Sequence, residues 1–273
     1  MNLSCLLSLL KEAPTYRQLV GQLLTSWDEH KAMILDATKP YFIAALYEEL
    51  SLPLMVVAAQ PEGARKLYEQ LQLWCPTSTN LHFWPHESDA MLERLQTLAT
   101  LALYKPSASC HSEYNEESTD TSPSLHSGVR VTVKRPPLIV ASALATISRT
   151  IPQRDFSSAC HVLKQGTAID PLELLHRWQN MGYEMEDIVE VPGTMSRRGG
   201  IIDIFPACSQ LPARIEFFGN QIESMRLFDP ESQCSTKPIS SLTITPAKEA
   251  FNTGNVLDYL SDDALLILDT PEE

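Results

Sequence analysis

Two continuous apolar runs inside the sequence constrain its fold more than any other feature. Leu54–Ala59 reads Leu-Met-Val-Val-Ala-Ala, and Leu138–Ser142 reads Leu-Ile-Val-Ala-Ser. Short runs without polar alternation are typical of strands buried on both faces of a parallel sheet. Helical patterns at Tyr41–Leu50 and Ala90–Tyr104 alternate with such strands. This order predicts an α/β domain over residues 1–152 with helices on both faces of its sheet.

Several weaker patterns complete this first domain. Helices are expected over Leu3–Leu10 and Tyr16–Trp27, and short strands over Ala32–Leu35 and Asn80–Trp84. Residues 106–129 are poor in apolar side chains and rich in Ser, Thr and Glu, so they cannot bury enough surface to offset their ordering entropy. We interpret them as a disordered surface insertion, with a phosphorylated or partner-binding tail as the alternative.

The pattern changes after Pro152, and residues 153–250 are predicted to form a compact antiparallel α+β module. Asp170 is a candidate N-cap and Gly182 a candidate C-cap of one helix. Short strands punctuated by Gly, Pro and Asn follow it at Asp187–Val191, Gly200–Phe205, Ala213–Phe218, Gln221–Phe228 and Ser241–Pro246.

Residues 251–273 are expected to return the chain to the first domain. A short helix at Val256–Leu260 and a strand at Ala264–Leu268 resume the α/β pattern. Because only one strand of this segment is present, we interpret the sequence as cut from a longer chain.

Composition excludes several classes of protein. The chain has 273 residues and a net charge of −13, from 21 basic and 34 acidic side chains, which argues against a protein that coats DNA. No apolar run is long enough to span a membrane, and no secretory signal precedes the first helix. The six cysteines form no CxxC pair, as expected in a reducing cytoplasm. A partner protein remains compatible with these features.

No catalytic, metal or cofactor site is expected in this region. A phosphate loop would lie at residues 36–40, but no glycine is present there and Lys39 is followed by Pro40. Asp269 follows an apolar strand, as a magnesium-binding aspartate does in helicase-type ATPases. The next residue, however, is Thr270 and not the glutamate that activates water in those enzymes. The seven histidines show no paired metal-ligand spacing.

The most informative segment contains Arg198, Arg214 and Phe218. Arg198 directly precedes Gly199-Gly200, and Ala213–Phe218 alternates so that Arg214 and Phe218 share one strand face. An exposed aromatic ring beside arginines has the composition of a binding hot spot. The alternative is structural, with Phe218 packed under a helix and the arginines paired with Asp203 and Glu216.

At these residues the sequence resembles the UvrB interaction domain, which is shared by the excision-repair helicase UvrB and the transcription-repair coupling factors. The similarity covers Arg197–Pro206, Arg214–Pro230, Leu242–Glu249 and Leu257–Asp269. Three departures from UvrB favour the N-terminal region of a coupling factor. The phosphate-loop glycines are missing, Thr270 replaces the glutamate, and the insertion has a single aromatic residue, Tyr114. The resemblance then implies that the first domain is a degenerate RecA/helicase-like domain, with the interaction domain inserted into it.

The same resemblance implies a function. In this family the inserted domain docks UvrA, and the matching residues here are Arg198, Arg214 and Phe218. The complete protein would be a cytoplasmic bacterial DNA translocase that uses ATP and Mg²⁺ and displaces stalled RNA polymerase from double-stranded DNA through other domains. The alternatives are a UvrB-like nucleotide-dependent helicase and a stand-alone adaptor that competes with UvrB for UvrA.

Overall fold

The computed structural model describes residues 3–26, 28–76, 78–86, 90–104, 135–249 and 253–269. The helices are α1 (Leu7–Leu10), α2 (Pro14–Thr25), α3 (Lys39–Leu50), α4 (Pro61–Trp74), α5 (Met91–Leu103), α6 (Ala143–Thr146), α7 (Gln153–Ala159) and α8 (Pro171–Asn180). Single 3-10 turns occur at Ser4–Leu6, Asp36–Thr38 and Val256–Tyr259. The predicted insertion at 106–129 lies outside the described residues.

The strands within the described residues form four sheets. They are β1 (Leu54–Ala58), β2 (Leu81–Trp84), β3 (Leu138–Ser142), β4 (Arg149–Thr150), β5 (His161–Lys164), β6 (Glu184–Met185), β7 (Thr194–Arg198), β8 (Ile201–Ile204), β9 (Ala213–Phe218), β10 (Gln221–Phe228), β11 (Ser235–Pro238), β12 (Ser241–Ile244), β13 (Gly254–Asn255) and β14 (Leu265–Asp269). This combination of a parallel sheet, antiparallel sheets and helices confirms the mixed α/β class.

The chain divides into two compact units, and the first is built from three stretches: the described residues up to 104, residues 135–152 and residues 253–269. Its main sheet is wholly parallel, in the order β14-β1-β3-β2. Every residue of β3 is buried, which explains the uninterrupted apolar sequence of this strand. In β14, at the edge of the sheet, half-buried and exposed residues alternate.

The second unit contains the described residues from 153 to 249. Its six-stranded sheet has the order β11-β10-β9-β8-β7-β6, antiparallel except between β6 and β7. One sheet face shares a hydrophobic cluster with α8 through Leu174 and Trp178. The Asp170 side chain caps this helix by accepting a hydrogen bond from Leu172 N, as predicted. Gly182 follows with φ +94°, and a Cβ there would lie 2.6 Å from Lys248 Cβ, so only glycine fits.

Two predicted strands are wrong, and a third element differs in type. Residues 32–35 form no strand: Met33 and Leu35 are exposed, and no described segment pairs with them. Residues 187–191 form a loop in which the Asp187 and Val189 carbonyl groups accept hydrogen bonds from side chains and not from a neighbouring strand. The predicted helix at Val256–Leu260 is a single 3-10 turn.

Candidate functional site

The central strand β9 separates a core face from an outer face, as its alternation predicted. Ala213, Ile215 and Phe217 face the hydrophobic cluster, and Ile215 is completely buried. The other three residues lie on the outer face, and Phe218 is 78% exposed. We call the outer surface formed by Arg198, Ile201, Arg214, Glu216 and Phe218 the outer face patch.

Phe218 lies at the end of β9, opposite Gln221 of β10. The two strands are joined by the two-residue turn Gly219-Asn220, in which Gly219 has φ +59°. The alternative that Phe218 packs under a helix is wrong, because most of the ring is open to solvent. A phenylalanine ring gains about 1.5–3 kcal/mol when it is fully buried, so this ring is a strong potential anchor for a partner.

Arg214 is tied to Asp203 on the neighbouring strand. Its Nε and Nη2 atoms donate to the two Asp203 carboxylate oxygens at 2.8 and 2.9 Å, which raises the pKa of the guanidinium. The guanidinium carbon lies 4.9 Å from the centre of the Phe228 ring. The Arg214 side chain is 21% exposed. Its Nη1 atom lies 3.5 Å from the Gln233 carbonyl oxygen, which is long for a hydrogen bond. One edge of the guanidinium is therefore held, and the other has only a marginal internal acceptor.

Arg198 occupies the end of β7, two strands away from β9. It pairs with Ile201 of β8, which in turn pairs with Glu216 of β9, so Arg198 and Glu216 are about 10 Å apart across the sheet. Arg198 is exposed, and its Nη2 donates to the Asp187 carbonyl oxygen at 2.6 Å. The structure thus places Arg198, Arg214 and Phe218 on one sheet face. The adjacent Arg197 alternates to the opposite face.

Glu216 is a member of the patch that sequence reasoning did not single out as functional. Its Oε2 accepts hydrogen bonds from Ser224 Oγ and from Arg226 Nη2, both at 2.6 Å. The Ser224 hydrogen bond, followed by the Arg226 guanidinium, lowers the pKa of Glu216 below its usual value. A β-bulge between Ile222 and Ser224 shifts the register by one residue and places Ser224, not Glu223, opposite Glu216. Alternation and the turn alone would therefore not have indicated this cross-strand contact.

The second candidate site lies in the first unit, where Lys39 and Asp269 meet. Lys39 Nζ lies 2.5 Å from Asp269 Oδ1 and 2.7 Å from Asp36 Oδ1. The Lys39 and Asp269 side chains are 19% and 20% exposed, whereas Asp36 is 91% exposed. The hydrogen bond to Asp269, and then the one to Asp36, raises the pKa of Lys39. The Lys39 ammonium group, at the position where a phosphate loop would lie, is thus held by two carboxylates of the same chain.

The described part of the chain contains neither a candidate metal site nor a candidate membrane-spanning helix. Among these residues no group of three or more His, Cys, Asp or Glu side chains could hold a metal ion. None of the helices within the described ranges is long and apolar enough to cross a membrane.

Comparison with known proteins identifies the domain that carries the outer face patch. Residues 162–250 match the family model of the UvrB interaction domain. The full-length relatives are transcription-repair-coupling factors: that of Bacillus subtilis (strain 168) is 40% identical over 121 residues, covering 44% of this chain and 10% of the relative. That of Staphylococcus aureus (strain MRSA252) is 42% identical over 101 residues, covering 37% and 9%.

The similarity covers most of the chain in another relative. The transcription-repair-coupling factor of Myxococcus xanthus is 27% identical over 247 residues, which covers 87% of this chain and 19% of the relative. The chain spans between about a tenth and a fifth of the length of these curated relatives. The resemblance drawn from the sequence motifs is thereby confirmed.

Proposed function

We propose that this chain is the UvrA-docking region of a bacterial transcription-repair coupling factor and acts, without catalysis of its own, in transcription-coupled nucleotide excision repair. The observation that carries the proposal is the exposed Phe218 ring on the same sheet face as Arg198 and Arg214, inside a domain that matches the UvrB interaction domain. RNA polymerase and double-stranded DNA would be bound by other parts of the complete protein, and its motor would use ATP and Mg²⁺.

The patch has the properties of a protein-binding surface. An apolar ring that is exposed in the free chain becomes a binding anchor when a partner pocket excludes water from it. Arg198 and Arg214 lie on the same sheet face as the ring and could supply charge-assisted donors for carboxylates of UvrA. Such charges mainly set the orientation of the partner and speed its association, while the ring supplies much of the affinity.

The first unit is the proposed degenerate RecA-like domain. Its parallel sheet supports this assignment, and so does the meeting of Lys39 with Asp269 at the end of the edge strand. The ion pair occupies the lysine where a nucleotide-binding domain would need a lysine free for phosphate. We therefore assign no nucleotide to this unit.

Calorimetric titration of the 273-residue chain with purified UvrA tests the proposal. Phe218→Ala should weaken binding by about 30-fold or more, corresponding to about 2 kcal/mol, without lowering the melting temperature, since the ring is exposed. Arg198→Ala should weaken it less. The matched control is Leu172→Ala, which removes an apolar side chain that is 51% exposed on α8 and should bind like the wild type. Wild-type affinity in the Phe218 variant would contradict the site, and no binding by the wild type would contradict the function.

A further inference from the structure

Asp203 is a buried carboxylate on a sheet face that is otherwise partly open. Its side chain is only 6% exposed, although it shares the outer face with Phe218. Burying a carboxylate is costly unless a partner of opposite charge also satisfies its oxygens. Arg214 does so with two hydrogen bonds of 2.8 and 2.9 Å. Because apolar residues of similar volume often stabilise a fold as well as a buried ion pair does, the pair is weak evidence for a purely stabilising role.

The geometry of the pair decides which edge of the guanidinium is available. Asp203 binds the Nε–Nη2 edge, and the guanidinium plane is further restrained by the Phe228 ring, 4.9 Å from its central carbon. Because the guanidinium is planar and rigid, holding one edge fixes the direction in which Nη1 points. Among the residues that the structure describes, the one acceptor for Nη1 is the Gln233 carbonyl oxygen, at 3.5 Å.

We infer that Asp203 is a positioning residue for UvrA binding: it holds Arg214 so that Nη1 is presented to a carboxylate of UvrA. This inference rests on the proposed function and adds a residue that does not itself contact the partner. It assigns Asp203 an effect that runs entirely through Arg214. The opposite role is also testable, since an aspartate that competed with UvrA for Arg214 would weaken binding.

The test is a double-mutant cycle on the complete chain, with UvrA affinity measured by calorimetry for the wild type, Asp203→Asn, Arg214→Ala and the double variant. Asp203→Asn should weaken binding by about tenfold, because the amide loses the charge that orients the guanidinium. Arg214→Ala should weaken it at least as much. The double variant should bind like Arg214→Ala alone, since Asp203 then has no residue through which to act.

Two results would overturn the inference. Affinity in Asp203→Asn that equals or exceeds the wild-type value would show that Asp203 does not present Arg214. A tenfold loss that persists in the Arg214→Ala background would show a general structural role instead. If Asp203→Asn fails to fold, Asp203→Glu replaces it: the retained charge keeps the chain folded, while the longer side chain displaces Arg214 and should weaken binding several-fold only when Arg214 is present.

Phe218→Ala, measured in parallel, separates this inference from the proposed function. If the wild type binds UvrA and Phe218→Ala loses affinity while Asp203→Asn does not, only the role of Asp203 is overturned. If the wild type does not bind UvrA, both are overturned.

Discussion

Each unit of the chain pairs a cation with an aspartate on a neighbouring element, but the two pairs leave the cation in different states. In the first unit, Asp269 and Asp36 both bind the single ammonium group of Lys39. In the second, Asp203 takes one edge of the Arg214 guanidinium, and the other edge has only a marginal acceptor. A lysine is a compact point charge, whereas an arginine offers two separate edges. We call the first pair the closed pair and the second the open pair, because one edge of the Arg214 guanidinium has only the acceptor at 3.5 Å.

The two units also differ in how they bury a neutral histidine. In the first, His82 Nε2 lies 2.9 Å from Asn80 Oδ1 and 3.1 Å from Thr100 Oγ1, and burial lowers its pKa to about 4. In the second, His161 Nε2 accepts a hydrogen bond from the Trp178 indole, so its proton resides on Nδ1. Burial lowers the pKa of His161 as well.

Acid should produce the largest effect, through His82 in the first unit. A histidine whose pKa falls from 6.5 to about 4 on folding binds fewer protons in the folded state, so stability falls as pH drops below 6.5. For His82 the loss approaches about 3 kcal/mol near pH 4. Hydrogen exchange of the β1 and β3 amides at pH 7, 5.5 and 4.5 measures this loss of stability in the first unit.

Two variants check this prediction. His82→Gln should flatten the pH dependence of exchange in the first unit, and His176→Gln, which changes an exposed histidine, should leave it unchanged. Equal pH dependence in the wild type and His82→Gln would contradict the role of His82.

Breaking the closed pair should have the next largest effect. Lys39→Met leaves Asp269, which is 20% exposed, without its cation and should lower the stability of the first unit by about 2 kcal/mol in urea unfolding. The matched control is Asp36→Asn, which removes the partner that is 91% exposed and should have no measurable effect. Equal losses in both variants would show that Asp269 is not the dominant partner.

Arg214→Lys should make the open pair resemble the closed pair. A lysine can pair with Asp203 but has no second planar edge, so UvrA affinity should fall by about tenfold while the second unit stays folded. Calorimetry measures the affinity, and thermal unfolding serves as the control. Wild-type affinity in this variant would show that charge alone suffices at this position.

The smallest expected effect is that of nucleotide. Because Lys39 is held by Asp269 and Asp36, ATP with Mg²⁺ should not shift the melting temperature of the chain. Saturable micromolar binding of labelled ATP that disappears in Lys39→Met would instead support a nucleotide-dependent helicase.

Local patterns in the sequence predicted much of the fold. The strands β1 and β3 were found because burial on both faces removes polar residues from them. The alternation of β9 predicted that Arg214 and Phe218 share one face, since it depends only on neighbouring residues, but it left open whether that face is exposed or lies under a helix. The predicted strand at residues 32–35 is wrong because an apolar run forms a strand only where a partner strand lies beside it.

The candidate site was predicted less completely, because its contacts depend on register. Arg214 could have paired with Asp203 or Glu216, and the β8–β9 register, which aligns Asp203 with Arg214, decides this. No local signal encodes that alignment. The meeting of Lys39 and Asp269 depends on β14 joining β1, a contact between distant parts of the chain. The role of Arg198, Arg214 and Phe218 in docking stays a prediction.

The pairing of β1 with β14 has a consequence for the order in which the chain folds. All strands of the six-stranded sheet lie within 184–238, whereas the parallel sheet joins residues 54–58 to residues 265–269. Contacts between distant segments form slowly, and a nascent chain emerges from its N-terminus. We therefore expect the second unit to complete its main sheet during synthesis while β1 still has an unpaired edge. The unit that begins first along the chain would be the last to finish folding.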